Sequence, residues 1–453
     1  MTTPSDLLAL LRSRSYLVLL VLAAIIGVIV SAVAYFFLAL ISKLQGWIFT
    51  SLPSGLGFHS EPIWWPIPPL VLAGLLVALT IRYLPGTAGH KPAEGFKAGG
   101  APSPAELPSV ILASLATLSL GVVLGPEAPL IAIGGGLGVI AVRLLKRDAP
   151  ARTSTVVAAA GSFAAISTLL GSPLLGAFLL MEASGLSGAM LELVLVPGLL
   201  AAGVGSLIFI GLDAWTGLGT FSLAIPGLPH IGPPTGAEFL WALAIGVMAA
   251  LLGSGIRWLG LFLQPRVERR MVLVMPVAGL AIAGLAIAFA EGTGKSSSEV
   301  LFSGQSALGP LVTNSAAYTV GALVLLIVCK AVAYGISLSG FRGGPVFPSM
   351  FIGAVGGIAL SHLAGLQLVA GVAMGIGAMC AVMLRLPFTS VLLATLLLAS
   401  DGLTVMPLAI VAVVVAYVVS ARLLPAPAAP APAPAGPAPE TPRPAEDAVQ
   451  PGR

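Results

Sequence analysis

The sequence predicts an all-α polytopic membrane protein built from two halves of opposite orientation, with full-length and partial tilted helices. Composition is the first reason: 57% of the 453 residues are apolar and 8% are charged, with a mean hydropathy of +1.05. Soluble domains carry about 25% charged residues. The second is length, since a spanning helix needs about 20 apolar residues. Such stretches fill 16–42, 64–84, 107–145, 153–183, 189–212, 237–263, 271–290, 318–338, 345–362, 367–400 and 403–424. Some are too long for one helix and some too short for a full span. The third is an internal repeat: GPEAPLIAIGGGLG (125–138) recurs as GPVFPSMFIGAVGG (344–357) at an offset of 219 residues. It pairs Gly125, Pro126, Pro129, Ile133, Gly134 and Gly138 with Gly344, Pro345, Pro348, Ile352, Gly353 and Gly357. A weaker echo sets GSPLLGAFLLME, with Pro173, against RLPFTSVLLATL, with Pro387. Chance similarity of Gly/Pro-rich helices is the competing explanation. Recurrence of two segments in the same order favours a repeat, and such interrupted stretches mark the binding site in repeat-built transporters.

The elements follow in order. The apolar stretch after Arg12 and Arg14 is too long for a signal peptide and lacks a convincing cleavage site, so it reads as the first span. Residues 1–15 form a cytoplasmic N-terminus, 16–213 the first repeat, 214–236 an outer Gly/Pro-rich connection and 237–424 the second repeat. Residues 425–453, rich in Ala and Pro, read as a disordered cytoplasmic tail. Orientation follows Lys and Arg: the loops with Arg82, His90, Lys91 and Lys97, with Lys146, Arg147 and Arg152, and with Arg266, Arg269 and Arg270 face the cytoplasm. Both termini are then cytoplasmic, in a bacterial inner membrane.

Several function classes drop out. A net charge of +4 with no basic run argues against nucleic acid. Cys329 and Cys380 lie in apolar stretches as small core residues. His59, His90, His230 and His362 are scattered, and neither G-x-S-x-G nor H-E-x-x-H occurs, so an intramembrane enzyme has little support. No metal or cofactor is expected. A cation site wants several inward carboxylates. The first half offers Glu127, Glu182 and Glu192, and the second is expected to offer none.

The repeated segments instead suit an anion. Gly and Pro just ahead of an apolar helix place a helix N-terminus inside the membrane. Its first N–H groups lack intrahelical acceptors, and the macrodipole is positive there. An anion can be held without a buried cation. Glu127 stands inside the motif. A carboxylate in an apolar segment is protonated, paired or functional, and one at a helix N-terminus competes with an anion for the same amides. It is read as a gate, against the plainer reading of a capping acid. Lys330 and Arg385 are expected to pair with a carboxylate or with helix-end carbonyls. His90 and Lys91 either enrich anions at an inner mouth or are ordinary positive-inside charge.

These residues resemble the CLC family of chloride channels and transporters. Gly125-Pro126-Glu127-Ala128-Pro129, leading to Gly134-Gly135, is similar to the family's G-K/R-E-G-P signature, which places Glu127 on the gating glutamate. Gly343-Gly344-Pro345-Val346-Phe347-Pro348 resembles G-G-x-F-x-P, with Phe displaced by one place. Gly171-Ser172-Pro173-Leu174-Leu175-Gly176-Ala177-Phe178 with Glu182, and Arg385-Leu386-Pro387-Phe388-Thr389, approximate two further motifs. The resemblance covers most of 16–424. It implies a CLC-type inverted repeat, transport of chloride or a similar small anion, a homodimer, and anion contacts from Thr87, Gly89, His90, Gly125, Ala128, Val346 and Phe347. Secondary transport of fluoride or an organic ion is the alternative.

The departures are specific. Gly89 stands at the family's central serine, with Thr87 as a substitute hydroxyl. Pro126 replaces the basic residue, and Pro345 removes an N–H. The family's C-terminal tyrosine has no counterpart, Tyr417 lying too early and reading as a packed or interfacial aromatic. Aligned on Pro173, Glu182 falls on a structural acid and Ala183 on the inner proton acid. Glu182 is then structural or a substitute proton relay, and passive conduction is as open as exchange.

Overall fold

The computed structural model describes residues 12–96, 100–145, 151–184, 188–218, 231–398 and 401–423. Lys97, Lys146, Arg147, His230, most of the 214–236 connection and the Ala/Pro tail lie outside them, as do the side chains of Arg152 and Glu192. Fifteen helices are present among the described residues. The first half holds α1 (Arg14–Gly46, prolonged through a π-helical turn to Gly55), α2 (Ile67–Tyr83), α3 (Leu107–Ser119) and α4 (Glu127–Leu145). It continues with α5 (Ala151–Leu170), α6 (Pro173–Ser184) and α7 (Gly188–Thr216). The second half holds α8 (Gly236–Arg269), α9 (Met271–Thr293), α10 (Gln305–Thr313) and α11 (Val320–Leu338). It ends with α12 (Val346–Ser361), α13 (Leu368–Leu384), α14 (Pro387–Leu396) and α15 (Gly402–Leu423). Eight helices are long and apolar enough to cross a membrane, and the others are shorter.

The long apolar stretches divide where the backbone demands it. Residues 107–145 break over 120–126, where Gly121 takes φ +97° and Pro126 precedes α4. Residues 153–183 break at Gly171, φ +64°, just before Pro173. The helix α10 belongs to no predicted stretch, because its nine residues, QSALGPLVT, are only half apolar.

The repeat is real in three dimensions. In the first half α4 packs on α5, α5 on α7 and α1 on α7; in the second, α12 packs on α13, α13 on α15 and α8 on α15. The crossings match in detail. A Cβ at Gly134 would strike the Gly161 carbonyl, and one at Gly353 the Gly375 carbonyl. Gly138 lies against the Val157 carbonyl as Gly357 lies against that of Gly371. Between the halves, α2 and α9 cross reciprocally, Gly74 on the Met275 carbonyl and Gly279 on the Leu70 carbonyl. Small residues let backbones touch where lipid supplies no hydrophobic drive. Where the second half has α10, the described residues of the first hold a 3₁₀ turn, Pro92–Glu94.

Two buried charges are fixed by this packing. Lys330 Nζ donates to the carbonyls of Glu299, Val300, Leu301 and Phe302 at 2.9–3.3 Å, the helix-end role expected of it. Glu238 corrects the expectation that the second half offers no inward acid: it is 1% exposed. It is nonetheless committed, its Oε2 accepting from Thr235 N at 2.9 Å in a capping box that starts α8.

Adjacent glycines test the crossing. Gly357 has no room for a Cβ, whereas Gly356 has nothing within 4 Å. Gly357→Ala is expected to cost about 1–3 kcal/mol through overpacking, read as a lower thermal midpoint in detergent, while Gly356→Ala leaves it unchanged.

Candidate functional site

The segments 120–126 and 339–345 run antiparallel and meet at Gly125 and Gly344. Gly125 N donates to Gly344 O at 2.8 Å, and Gly344 N to Gly125 O at 2.6 Å. Both helices that follow, α4 and α12, therefore begin at this crossing, each with Pro in its first turn, where a missing N–H costs nothing. Their unpaired amides converge on one small volume.

Glu127 fills it. The side chain is 0% exposed. Its Oε1 accepts from Phe347 N at 2.8 Å, and the N–H groups of Val346 and of Glu127 itself also face the carboxylate. Oε2 has no hydrogen-bond partner. A Cβ on Gly125 or Gly344 would overlap the carboxylate oxygens, so these glycines form its seat as well as the crossing. Tyr334, wholly buried on α11, lies within electrostatic reach and donates its hydroxyl to Pro345 O at 3.1 Å.

Two cavities reach the motif that carries Glu127. One of about 280 Å³ is lined by Leu38, Gln45, Leu124, Pro126, Phe302 and Ser306 among others. The other, about 340 Å³, is lined by Thr87, Gly89, His90, Ala128, Arg342 and Gly343 among others. Pro126 belongs to the first and Ala128 to the second, with Glu127 between these two residues in the chain. The second cavity lies toward the end of the molecule that carries Arg266, Arg269 and Arg270, through Thr87 and Arg342, which also face Lys91, Glu268 and Met271.

The structure thus brings Thr87, Gly89, His90 and Ala128 to one cavity and Val346 and Phe347 to the carboxylate. Gly125, expected as an anion contact, commits its N–H to Gly344 O, and it leaves space for the carboxylate. Thr87 Oγ1 donates to Gly89 O at 3.2 Å in a turn where Gly86, Ala88 and Gly89 all take positive φ. The His90 ring meets Gly95 O at 2.7 Å, and Lys91 pairs with Glu268 at 2.6 Å. Among the described residues Arg385 has neither an acidic partner nor a helix-end carbonyl, unlike Lys330, and Tyr417 is 38% exposed on α15.

Arg342 was not singled out from the sequence, although it directly precedes the Gly343-Gly344 motif. Only 5% exposed, it donates from Nε to Thr87 O at 3.0 Å and from Nη1 to Gly340 O at 2.8 Å, tying the two halves together at the wall of the cavity. Thr117 Oγ1 accepts its backbone N–H.

Glu182 lines neither cavity. Its oxygens accept from Phe388 N at 3.0 Å, Thr389 N at 2.8 Å and Thr389 Oγ1 at 2.6 Å, capping the start of α14.

Comparison with known proteins agrees with this architecture. The family described as "Voltage gated chloride channel" matches residues 73–421. The chain belongs to the voltage gated chloride channel family. It is 32% identical over 355 residues to the "Putative ion-transport protein YfeO" of Escherichia coli O1:K1, covering 77% of this chain and 80% of that protein. Among solved structures it is similar to "a slow cyanobacterial Cl-/H+ antiporter", with TM-score 0.73 and 20% identity, covering 89% of this chain and 94% of that one. A "CLC-type fluoride/proton antiporter" matches at TM-score 0.67 and 20% identity, over 93% and 98% of the two chains. At that identity the likeness is one of fold.

The cap on α14 gives a direct measurement. Glu182→Gln replaces charged hydrogen bonds by neutral ones at a helix start and is expected to lower stability by about 1–3 kcal/mol. An unchanged unfolding midpoint would detach Glu182 from α14.

Proposed function

We propose that this protein moves small inorganic anions, chloride foremost, across the bacterial inner membrane, and that the Glu127 carboxylate is the gate. The observation that carries the reading is a fully buried carboxylate, with one oxygen unpaired, at the shared N-termini of α4 and α12, where the residues on either side of it in the chain line two cavities. In the state observed the carboxylate occupies amides that would otherwise face the pathway. Protonation removes the charge those amides stabilise, the side chain leaves its seat, and an anion takes its place. Attraction by amides alone is moderate, so the ion can also leave.

The basic cavity is the cytoplasmic vestibule in this reading. Arg342 supplies fixed positive charge there, and His90 with Lys91 adds to the local potential. The relatives support the anion assignment, since one is named for chloride and another for fluoride. Proton coupling is weak or absent: Ala183 stands where the resemblance expects an inner acid, and Glu182 is engaged as a cap. The chain acts as a homodimer with its own pore in each subunit, as the resemblance implies, and carries no catalytic activity.

Reconstituted liposomes with a potassium ionophore are expected to release chloride, with little accompanying change in pH. Folded, inserted protein giving no flux above empty liposomes overturns the function. In Glu127→Gln, a permanent mimic of the protonated gate, the dependence of flux on external pH becomes nearly flat. A slope like the wild type's returns Glu127 to a capping role.

Arg342→Met should raise the half-saturating cytoplasmic chloride concentration roughly tenfold, equivalent to about 1.4 kcal/mol, with Arg342→Lys intermediate. Identical saturation curves for all three would remove Arg342 from the pathway.

A further inference from the structure

Arg257, in the middle of α8, is 8% exposed, and its Nε and Nη1 are buried with no hydrogen-bond partner. No acid pairs with it; among the described residues the ion pair is Lys91 with Glu268. The charged group nearest in effect is another cation, Arg385 at the end of α13, followed by the Tyr334 hydroxyl. Arg385 itself is half-buried in a left-handed conformation, φ +59°. The other buried cations differ: Lys330 is surrounded by four carbonyls, and Arg342 by those of Thr87, Gly340 and Phe341.

An uncompensated buried guanidinium is unfavourable by several kcal/mol, and a like charge nearby adds to that. Arginine cannot relieve it by losing its proton at neutral pH. The packing also holds the group in place, since Gly253 lies against Val382 of α13 and the Ile256 carbonyl against Gly335 of α11. Its Nη2 reaches the turn at Gly95, where even a Cβ would stand only 3.6 Å away.

We infer that Arg257, within electrostatic reach of Arg385 and the Tyr334 hydroxyl, binds a small monovalent inorganic anion between α8, α11 and α13, at a position separate from the Glu127 seat. Arg257 does not line either cavity that approaches Glu127. Tyr334 acts electrostatically on both Glu127 and Arg257, so the two positions share one tyrosine as an electrostatic neighbour. The degree of burial suits an ion of halide size rather than a lipid phosphate. The claim concerns equilibrium binding, so it stands or falls independently of flux.

The test uses purified full-length protein and bromide as the probe, with potassium gluconate, an anion too bulky for the site, holding ionic strength constant. Equilibrium dialysis should show Arg257→Met binding about one bromide fewer per chain than wild type, with Arg257→Lys retaining it more weakly. Bromide should raise the wild-type unfolding midpoint, by linkage to the folded state, and raise that of Arg257→Met less than half as much. In gluconate alone Arg257→Met should melt above wild type, because the uncompensated charge is gone. Equal bromide stoichiometry with an equal bromide-dependent shift overturns the site. If Arg257→Met does not purify folded, Arg385→Met decides: weakened bromide binding supports the site, and unchanged binding overturns it.

Discussion

Two backbone hydrogen bonds between Gly125 and Gly344 hold the starts of α4 and α12 against each other, and the rest of the site depends on that contact. A Cβ on either residue would collide with the Glu127 carboxylate, so both glycines are needed for that side chain to keep its seat on the crossing. Because the paired residues are equivalent positions of the repeat, the contact lies where the inverted halves meet. Two positive helix ends thus share one point without any buried cation in direct contact with it.

The charges inside the molecule fall into two groups. Lys330, Arg342, Glu182 and Glu238 all have backbone partners that use their charge to close a helix end or join segments. Intramembrane charge is tolerated when it is satisfied in this way. Glu127 and Arg257 are the contrast, one with a bare carboxylate oxygen and the other with bare guanidinium nitrogens. Unsatisfied buried polar groups are rare in native proteins, and these two are the ones on which the proposed gate and the proposed anion position rest.

How far the site could be read in advance varied with the residue. Glu127 was legible because a lone acid in a repeated Gly/Pro motif has few bland explanations. The partner of the Gly125 N–H was not legible, since sequence shows that an N–H exists but not which acceptor takes it. Glu182 was open between relay and structure until the start of α14 was found beside it, 206 residues along the chain. Arg342 and Tyr334 carried no motif of their own, and α10 was missed because a short, mixed segment lacks the apolar length that marks a span.

The sequence by itself determined the membrane class, the two-fold repeat and the glycine and proline breaks, because these rest on composition, periodicity and local backbone preference. Tertiary structure alone decided which amides face Glu127, which cavities reach its motif, and that Arg257 Nε and Nη1 have no acceptor. Those facts depend on contacts between residues far apart in the chain, Phe347 with Glu127, 220 positions away, being one such pair. No local pattern encodes such a contact; it exists only once the two halves have packed.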